Sequence, residues 1–200
     1  VKSFKHPNFR ILNNPHGGKA FALRSGLSSA HGEYVLFTDM DQSTPITELV
    51  KLLKFVETEK AKVVIGSRGK KRSNFNITRK LASQAFSLFR RSILLPHIVD
   101  TQCGFKLLEV NLAKKVFDKM MIFKNDAKAK GWVVAAWDVE FLYLAEKLGN
   151  KIYEVPVDWE DADESTQKER TAGKFIRESI DMLKQILRVR INDWKGRYEE

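Results

Sequence analysis

Two carboxylates one residue apart, Asp39 and Asp41, follow the apolar run Val35-Leu36-Phe37 and a turn-forming Thr38. Hard oxygen donors at that spacing can hold a small divalent cation, Mg²⁺ or Mn²⁺, which takes carboxylate, water and phosphate oxygens. The apolar run reads as a buried strand, and Thr44-Pro45 reads as the start of a helix. The pair therefore stands at the carboxyl end of a strand, where open α/β sheets bind their ligands. A cation there would suit a nucleoside diphosphate. The same residues also suit a solvated turn with a helix N-cap.

Other chemistry-bearing residues follow in order. Gly66-Ser67-Arg68 ends a second apolar strand, Val63-Val64-Ile65. Glycine there lets the backbone come close to a ligand, and a guanidinium offers a bidentate fork to phosphate. Asp100, Gln102 and Lys106 surround a Gly104-Phe105 turn in the string Asp100-Thr101-Gln102-Cys103-Gly104-Phe105-Lys106. Asp100 suits either a ligand pocket or an internal strut to a nearby arginine. Asp138 and Glu140 lie in an otherwise apolar segment, and a carboxylate so placed needs a partner or a task. At the start of its helix, Asp138 also suits a cap.

The elements that position these residues follow from apolar period and breakers. Strands are predicted at 8–12, 33–37, 62–65 and 151–157, and helices at 19–30, 46–59, 77–95, 110–120, 138–148 and 175–189. Gly149 is placed as a helix C-cap. Residues 160–170 read as an acidic loop. Strands alternating with helices predict an α/β domain with a mostly parallel sheet.

Composition narrows the function classes. Two hundred residues make one domain of moderate size. The single cysteine, Cys103, excludes an intrachain disulfide and reads as a small packing residue beside Gly104 and Phe105. No apolar run reaches the roughly 18 residues of a membrane span. The net charge is +10, and residues 61–130 hold 16 of the 35 basic side chains against 4 of the 25 acidic ones. That middle third would attract nucleic acid, anionic lipid or phosphorylated substrates, although Lys70-Lys71-Arg72 also suits a plain solvated loop. No nucleic-acid-binding motif accompanies the charge.

With Gly17-Gly18-Lys19-Ala20 and Gly32-Glu33-Tyr34 ahead of the acidic pair, and Trp137-Asp138-Val139-Glu140 leading into Ile152–Val157, the chain resembles the inverting family 2 glycosyltransferases. It looks most like the dolichyl-phosphate glucosyltransferases and the polyprenyl-phosphate sugar synthases. The resemblance runs from Asn13 to Arg190, and the Asp100–Lys106 string is its most specific part. It implies a GT-A-like, Rossmann-like fold over residues 1–170, with 171–200 as a basic amphipathic helix that belongs to the same domain or extends along a membrane surface. It implies glucose transfer from UDP-glucose to a dolichyl or polyprenyl phosphate. The membrane face would be cytosolic, that of the endoplasmic reticulum in a eukaryote or the inner membrane in a bacterium. Alternatives are mannose transfer from GDP-mannose and a non-catalytic binding module of the same fold.

The resemblance also implies roles for residues. Asp39 and Asp41 would hold Mg²⁺ or Mn²⁺, with Ser43 standing where related mannosyl enzymes can carry a metal-binding glutamine. Lys19, Arg68, Arg79, Asp100, Gln102 and Lys174 would bind substrate. Arg79, with Lys80, would meet the acceptor phosphate or leaving group, and Lys174 would ride on a loop over the phosphates. Asp138 would be the catalytic carboxylate, as a base where the acceptor is a hydroxyl. The family pattern begins with two further strands, one ending in an apolar-Pro-aromatic-Asn-Glu string and one in two aspartates. Val1 is expected to enter after them, so the chain is read as a fragment, as completed by a partner, or as a weak nucleotide binder.

The last helix is expected to carry Ile176, Ile180, Leu183, Ile186 and Leu187 on one side and basic residues around it. It would either pack plainly on the domain or offer arginines to anionic headgroups.

Overall fold

The computed structural model describes residues 6–69, 88–124, 137–160 and 172–199, with backbone only for 172–179. Helix α1 (Lys19–Ser28) leads to β1 (Tyr34–Phe37), a 3-10 turn (Ile46–Glu48), α2 (Leu49–Glu59) and β2 (Val63–Ser67). Residues 88–93 are helical. Then come β3 (Lys106–Glu109), α3 (Val110–Lys119), α4 (Met121–Lys124), α5 (Trp137–Lys147), β4 (Ile152–Pro156) and α6 (Ala172–Trp194).

The four described strands form one sheet in the order β1-β3-β2-β4. β3 runs antiparallel to both β1 and β2, whereas β2 and β4 are parallel. Three of the four described strands thus share a direction, as the predicted α/β sheet requires, and the reversed β3 between two of them makes the sheet mixed. β3 is invisible to the apolar pattern because its four residues run straight into α3 with no turn between. Glu109 ends the strand and caps the helix, its carboxylate accepting the Asn111 and Leu112 N–H groups at 3.0 and 2.8 Å. The strand predicted at 8–12 does not form. Phe9, Ile11 and Leu12 stay exposed, with no sheet neighbour among the described residues, and an extended segment needs one to satisfy its backbone.

Alternate strand residues serve opposite faces. Val63, Ile65 and Leu108 join Phe37 and the residues of α1, α3 and α5 in the larger core. Val64, Leu107 and Phe105 join Leu52 of α2 in the smaller one. Phe117 of α3 is the hub of the larger core, with ring centroids of Phe37, Trp137 and Phe141 at 6.1, 6.0 and 5.4 Å. α5 is buried all round from Trp137 to Ala145, which is why its two carboxylates stood out in the sequence. Gly149 follows it with φ 79°, as the predicted C-cap requires.

α6 departs from the predicted single stripe. Ile186 and Val189 are buried while Ile180 and Leu187 face outward. An α-helix turns about 100° per residue, so Ile186 and Leu187 cannot share one narrow face.

Candidate active site

β1 delivers Asp39 through Thr38 into a tight turn. The turn closes by the Gln42 N–H donating to the Asp39 carbonyl at 3.3 Å. Gln42 sits at φ 54°, a left-handed conformation that costs a side-chain-bearing residue about 1–2 kcal/mol. Asp41 Oδ1 accepts the Ser43 N–H at 2.9 Å. Asp39 Oδ1 is ion-paired with Nζ of Lys19, the first residue of α1. Its other oxygen lies against Gly104, where any Cβ would collide with the carboxylate. Glycine at 104 is therefore what lets the Asp100–Lys106 loop reach the acidic turn.

Arg68, just past β2, forms a bidentate pair with Asp100: Nε to Oδ2 at 2.7 Å and Nη2 to Oδ1 at 2.8 Å. The Arg68 backbone N–H donates to the same Oδ2 at 3.1 Å. Burial works against the guanidinium charge, but the Asp100 hydrogen bonds outweigh it and hold its pKa above the usual value. The Trp159 ring lies 5.6 Å from this guanidinium. Glu154 of β4 fixes the loop from below, accepting the Val99 and Asp100 N–H groups at 2.8 and 2.7 Å.

At the centre a buried lysine meets a buried aspartate. Lys106, the first residue of β3, has a side chain 1 % exposed and places Nζ 2.7 Å from Asp138 Oδ1 in the first turn of α5. The ammonium also donates to the Cys103 carbonyl and lies 5.6 Å from the Trp137 ring centre. Burial pushes the Asp138 carboxyl up from its ordinary range, with Lys106 opposing, and the charges of Lys19 and Asp39 act on the same group. Burial likewise raises the Cys103 thiol, the opposite of what an activated nucleophile needs.

The fold thus brings Lys19, Asp39, Asp138 and the Arg68–Asp100 pair to one end of the sheet. Asp41 lies beside them, on the exposed side of the turn. For Asp100 the geometry is that of the strut to arginine, and it occupies the Nε–Nη2 edge of Arg68 that was read as a phosphate fork. Gln102 reaches away from this cluster, its Nε2 lying 3.8 Å from Met182 Sδ of α6. Ser43 is buried by the turn. Arg79 and Lys80 lie outside the described residues, as does the side chain of Lys174. Glu140 is structural: its carboxylate accepts the Met121 N–H at 2.7 Å and the Tyr198 hydroxyl at 2.9 Å. Lys106 was read only as a polar residue beside the Gly104-Phe105 turn and given no role, although an acid in an apolar helix asks for a buried cation.

The residues also permit a test for a divalent cation. Among the described residues no group of three or more His, Cys, Asp or Glu converges. A half-exposed Asp39 and an exposed Asp41, without thiolate or imidazole, suit Mg²⁺ or Mn²⁺, which complete their shells with water and substrate phosphate.

Comparison with known proteins agrees with this geometry. Residues 1–117 match the profile of glycosyl transferase family 2. Two dolichyl-phosphate beta-glucosyltransferases of Trichomonas vaginalis are 33 % and 30 % identical over 96 % of this chain, which covers 58 % and 56 % of them. That of Dictyostelium discoideum is 31 % identical over 92 % of the chain and 54 % of its own length. The chain spans a little over half the length of these relatives. Among solved structures, the mannosyl-3-phosphoglycerate synthase of Rubrobacter xylanophilus superposes with a TM-score of 0.57 at 19 % identity, covering 90 % of this chain and 53 % of that one. The shared fold is the α/β, GT-A type. With more than half of its length inside the profile and an acidic turn at the carboxyl end of β1, the chain belongs to glycosyl transferase family 2.

Proposed function

We propose that the protein is a metal-dependent inverting glycosyltransferase that moves glucose from UDP-glucose to a dolichyl or polyprenyl phosphate at a cytosolic membrane face. The observation that carries this reading is the Asp39–Asp41 turn, braced by Lys19 and closed over by Gly104. Relatives named for glucosyl transfer to dolichyl phosphate support the acceptor and the sugar.

Asp39 and Asp41 would hold Mg²⁺ or Mn²⁺, which when bound neutralises charge developing on a leaving diphosphate. Lys19, ion-paired with Asp39, holds that carboxylate in place and would offer its ammonium to the diphosphate. A phosphomonoester acceptor has a second pKa near ~6 and is already an anionic nucleophile at neutral pH. Its oxygen attacks the sugar C1 while the bond from C1 to the UDP oxygen breaks, and the electron pair leaves with UDP. No proton has to be removed, so Asp138, held by Lys106, orients the sugar rather than acting as a base. Arg79 is proposed to meet the acceptor phosphate, the Arg68–Asp100 pair to brace the donor pocket, and Lys174 to cover the phosphates.

Calorimetric titration of the full-length protein with UDP, with and without Mn²⁺, tests the reading. Asp41→Asn should abolish the Mn²⁺-dependent gain in affinity. Equal metal-dependent affinity in variant and parent would overturn the site. Transfer assays offering UDP-glucose and GDP-mannose in parallel decide the sugar.

A further inference from the structure

Helix α6 carries two apolar faces. The inner one, with Ile186 and Val189, packs on the domain beside the buried amide of Asn192. At about 100° per residue, Ile180, Leu187, Ile191 and Trp194 fall within about 60° of one another on the opposite side. They are 45, 43, 44 and 75 % exposed. The stripe they form is about 21 Å long, from 14 steps of 1.5 Å.

Cations line both edges of this stripe. Lys184, Arg188 and Lys195 stand on one side by the same rotation, and Arg190 on the other, its guanidinium 5.7 Å from the Trp194 ring centre. The acidic residues of this stretch are engaged. Asp193 pairs with Lys147 and lies 3.5 Å from Arg190, and Asp181 lies 3.5 Å from Lys184.

A contiguous exposed apolar stripe marks a surface that something covers. A second copy of this chain would set these cations against their own likes, which disfavours a paired helix. No described helix is long and apolar enough to cross a membrane. An anionic bilayer matches both features: the ridge enters the headgroup–acyl boundary, lysine and arginine stems snorkel to the phosphates, and tryptophan prefers that boundary.

We propose that the outer face of α6 docks on an anionic lipid surface, with Ile180, Leu187, Ile191 and Trp194 inserted and the exposed Lys184 and Lys195 on the headgroups. On its inner side Met182 touches Gln102, so docking also ties the Asp100–Lys106 loop to the surface. That last consequence, which presents the loop to a lipid phosphate, rests on the proposed function; the docking itself does not.

Flotation of the 200-residue chain with phosphatidylcholine vesicles carrying roughly one-third phosphatidylserine tests the face. The chain should float with these vesicles and much less with pure phosphatidylcholine, and its tryptophan emission should shift to the blue by an amount that Trp194→Phe removes. The double variant Leu187→Glu/Ile191→Glu should partition at least about tenfold more weakly, with unchanged circular dichroism because both side chains are exposed. Failure of the parent to float, or equal flotation of the variant, would overturn the proposal. So would a dimer seen by sedimentation velocity that the variant abolishes without any vesicle binding. Flotation needs no nucleotide, so its failure leaves the transferase reading standing. Failure of Mn²⁺-dependent UDP binding, in turn, leaves the docking face standing.

Discussion

Replacing Lys106 by methionine keeps the length of the side chain and removes its charge from the most buried ion pair of the site. Both side chains are nearly inaccessible, at 1 and 9 %, so solvent screens little of their interaction. Breaking such a pair from one side typically costs about 3–5 kcal/mol, because the other charge stays buried alone. Lys106→Met should therefore lose about that much stability. Asp138→Asn should lose less, since the ammonium keeps the Cys103 carbonyl. The double variant Lys106→Met/Asp138→Leu should be less destabilised than the sum of the single changes, by roughly 2–3 kcal/mol. Urea unfolding read by midpoint and slope supplies the three differences. The pH dependence carries a sign as well. Burial raises the folded Asp138 carboxyl above its unfolded value of about 3.9. Stability from this group is then fully present below that value and lost as pH rises through the folded pKa. Without Lys106 the raising effect of burial is unopposed, so the deficit of Lys106→Met relative to the parent should open above the parent's own raised Asp138 pKa and grow as pH rises. Additive effects within about 0.5 kcal/mol, or a deficit independent of pH, would refute the argument.

Two further outcomes follow from the same geometry. Gly104→Ala puts a methyl group where the Asp39 carboxylate lies, so Mn²⁺-dependent UDP affinity should fall by at least about tenfold in titration calorimetry; an unchanged affinity would show that Asp39 does not hold the cation. Arg68→Lys removes the fork to Asp100 and should cost about 1.5–3 kcal/mol in urea unfolding, with Arg68→Ala costing no less.

How much of this was legible in the sequence depended on how local the signal was. β1, β2 and β4 announce themselves as short apolar runs bounded by polar turns, and α1, α2, α3 and α5 by period and by breakers such as Gly149. β3 had neither boundary, since the same residue that ends it caps α3. The acidic turn was legible because its residues adjoin. The Lys19–Asp39 pair, 20 positions apart, was not, and for Asp100 the sequence offered a strut to an arginine without saying that the arginine is Arg68, 32 positions away. Lys106 stayed hidden for a compositional reason. Lysine is almost never fully buried unless paired, so it reads as surface until its partner is known. Asp138 was the clue, as an acid in an apolar helix, and Lys106 was the only cation of the Asp100–Lys106 string. α6 was misread because its apolar residues were counted as one set, whereas the helical turn divides them between two faces.

The reversed strand explains why these distant residues meet. β1, β2 and β4 run one way, so each ends at the same edge of the sheet and releases there Asp39, Arg68 and the Pro156–Trp159 segment. β3 runs the other way, so its beginning lies at that edge, and the Asp100–Lys106 loop arrives just where the other strands leave. The register makes this specific: Lys106 stands opposite Phe37 on one side and Ile65 on the other. Because side chains alternate along a strand, Lys106 and Leu108 face the helices α1, α3 and α5, while Leu107 faces α2. A slip of one residue would turn Lys106 toward the apolar α2 layer and offer Leu107 to the Asp138 carboxylate. Both placements would bury an unpaired charge, so the Lys106–Asp138 pair penalises the wrong register even if its net contribution to stability in the right one is small. The charge pair at the centre of the site then also acts as the alignment key of the sheet, and the position of Gly104 against Asp39, two residues upstream of Lys106, is fixed by the same choice.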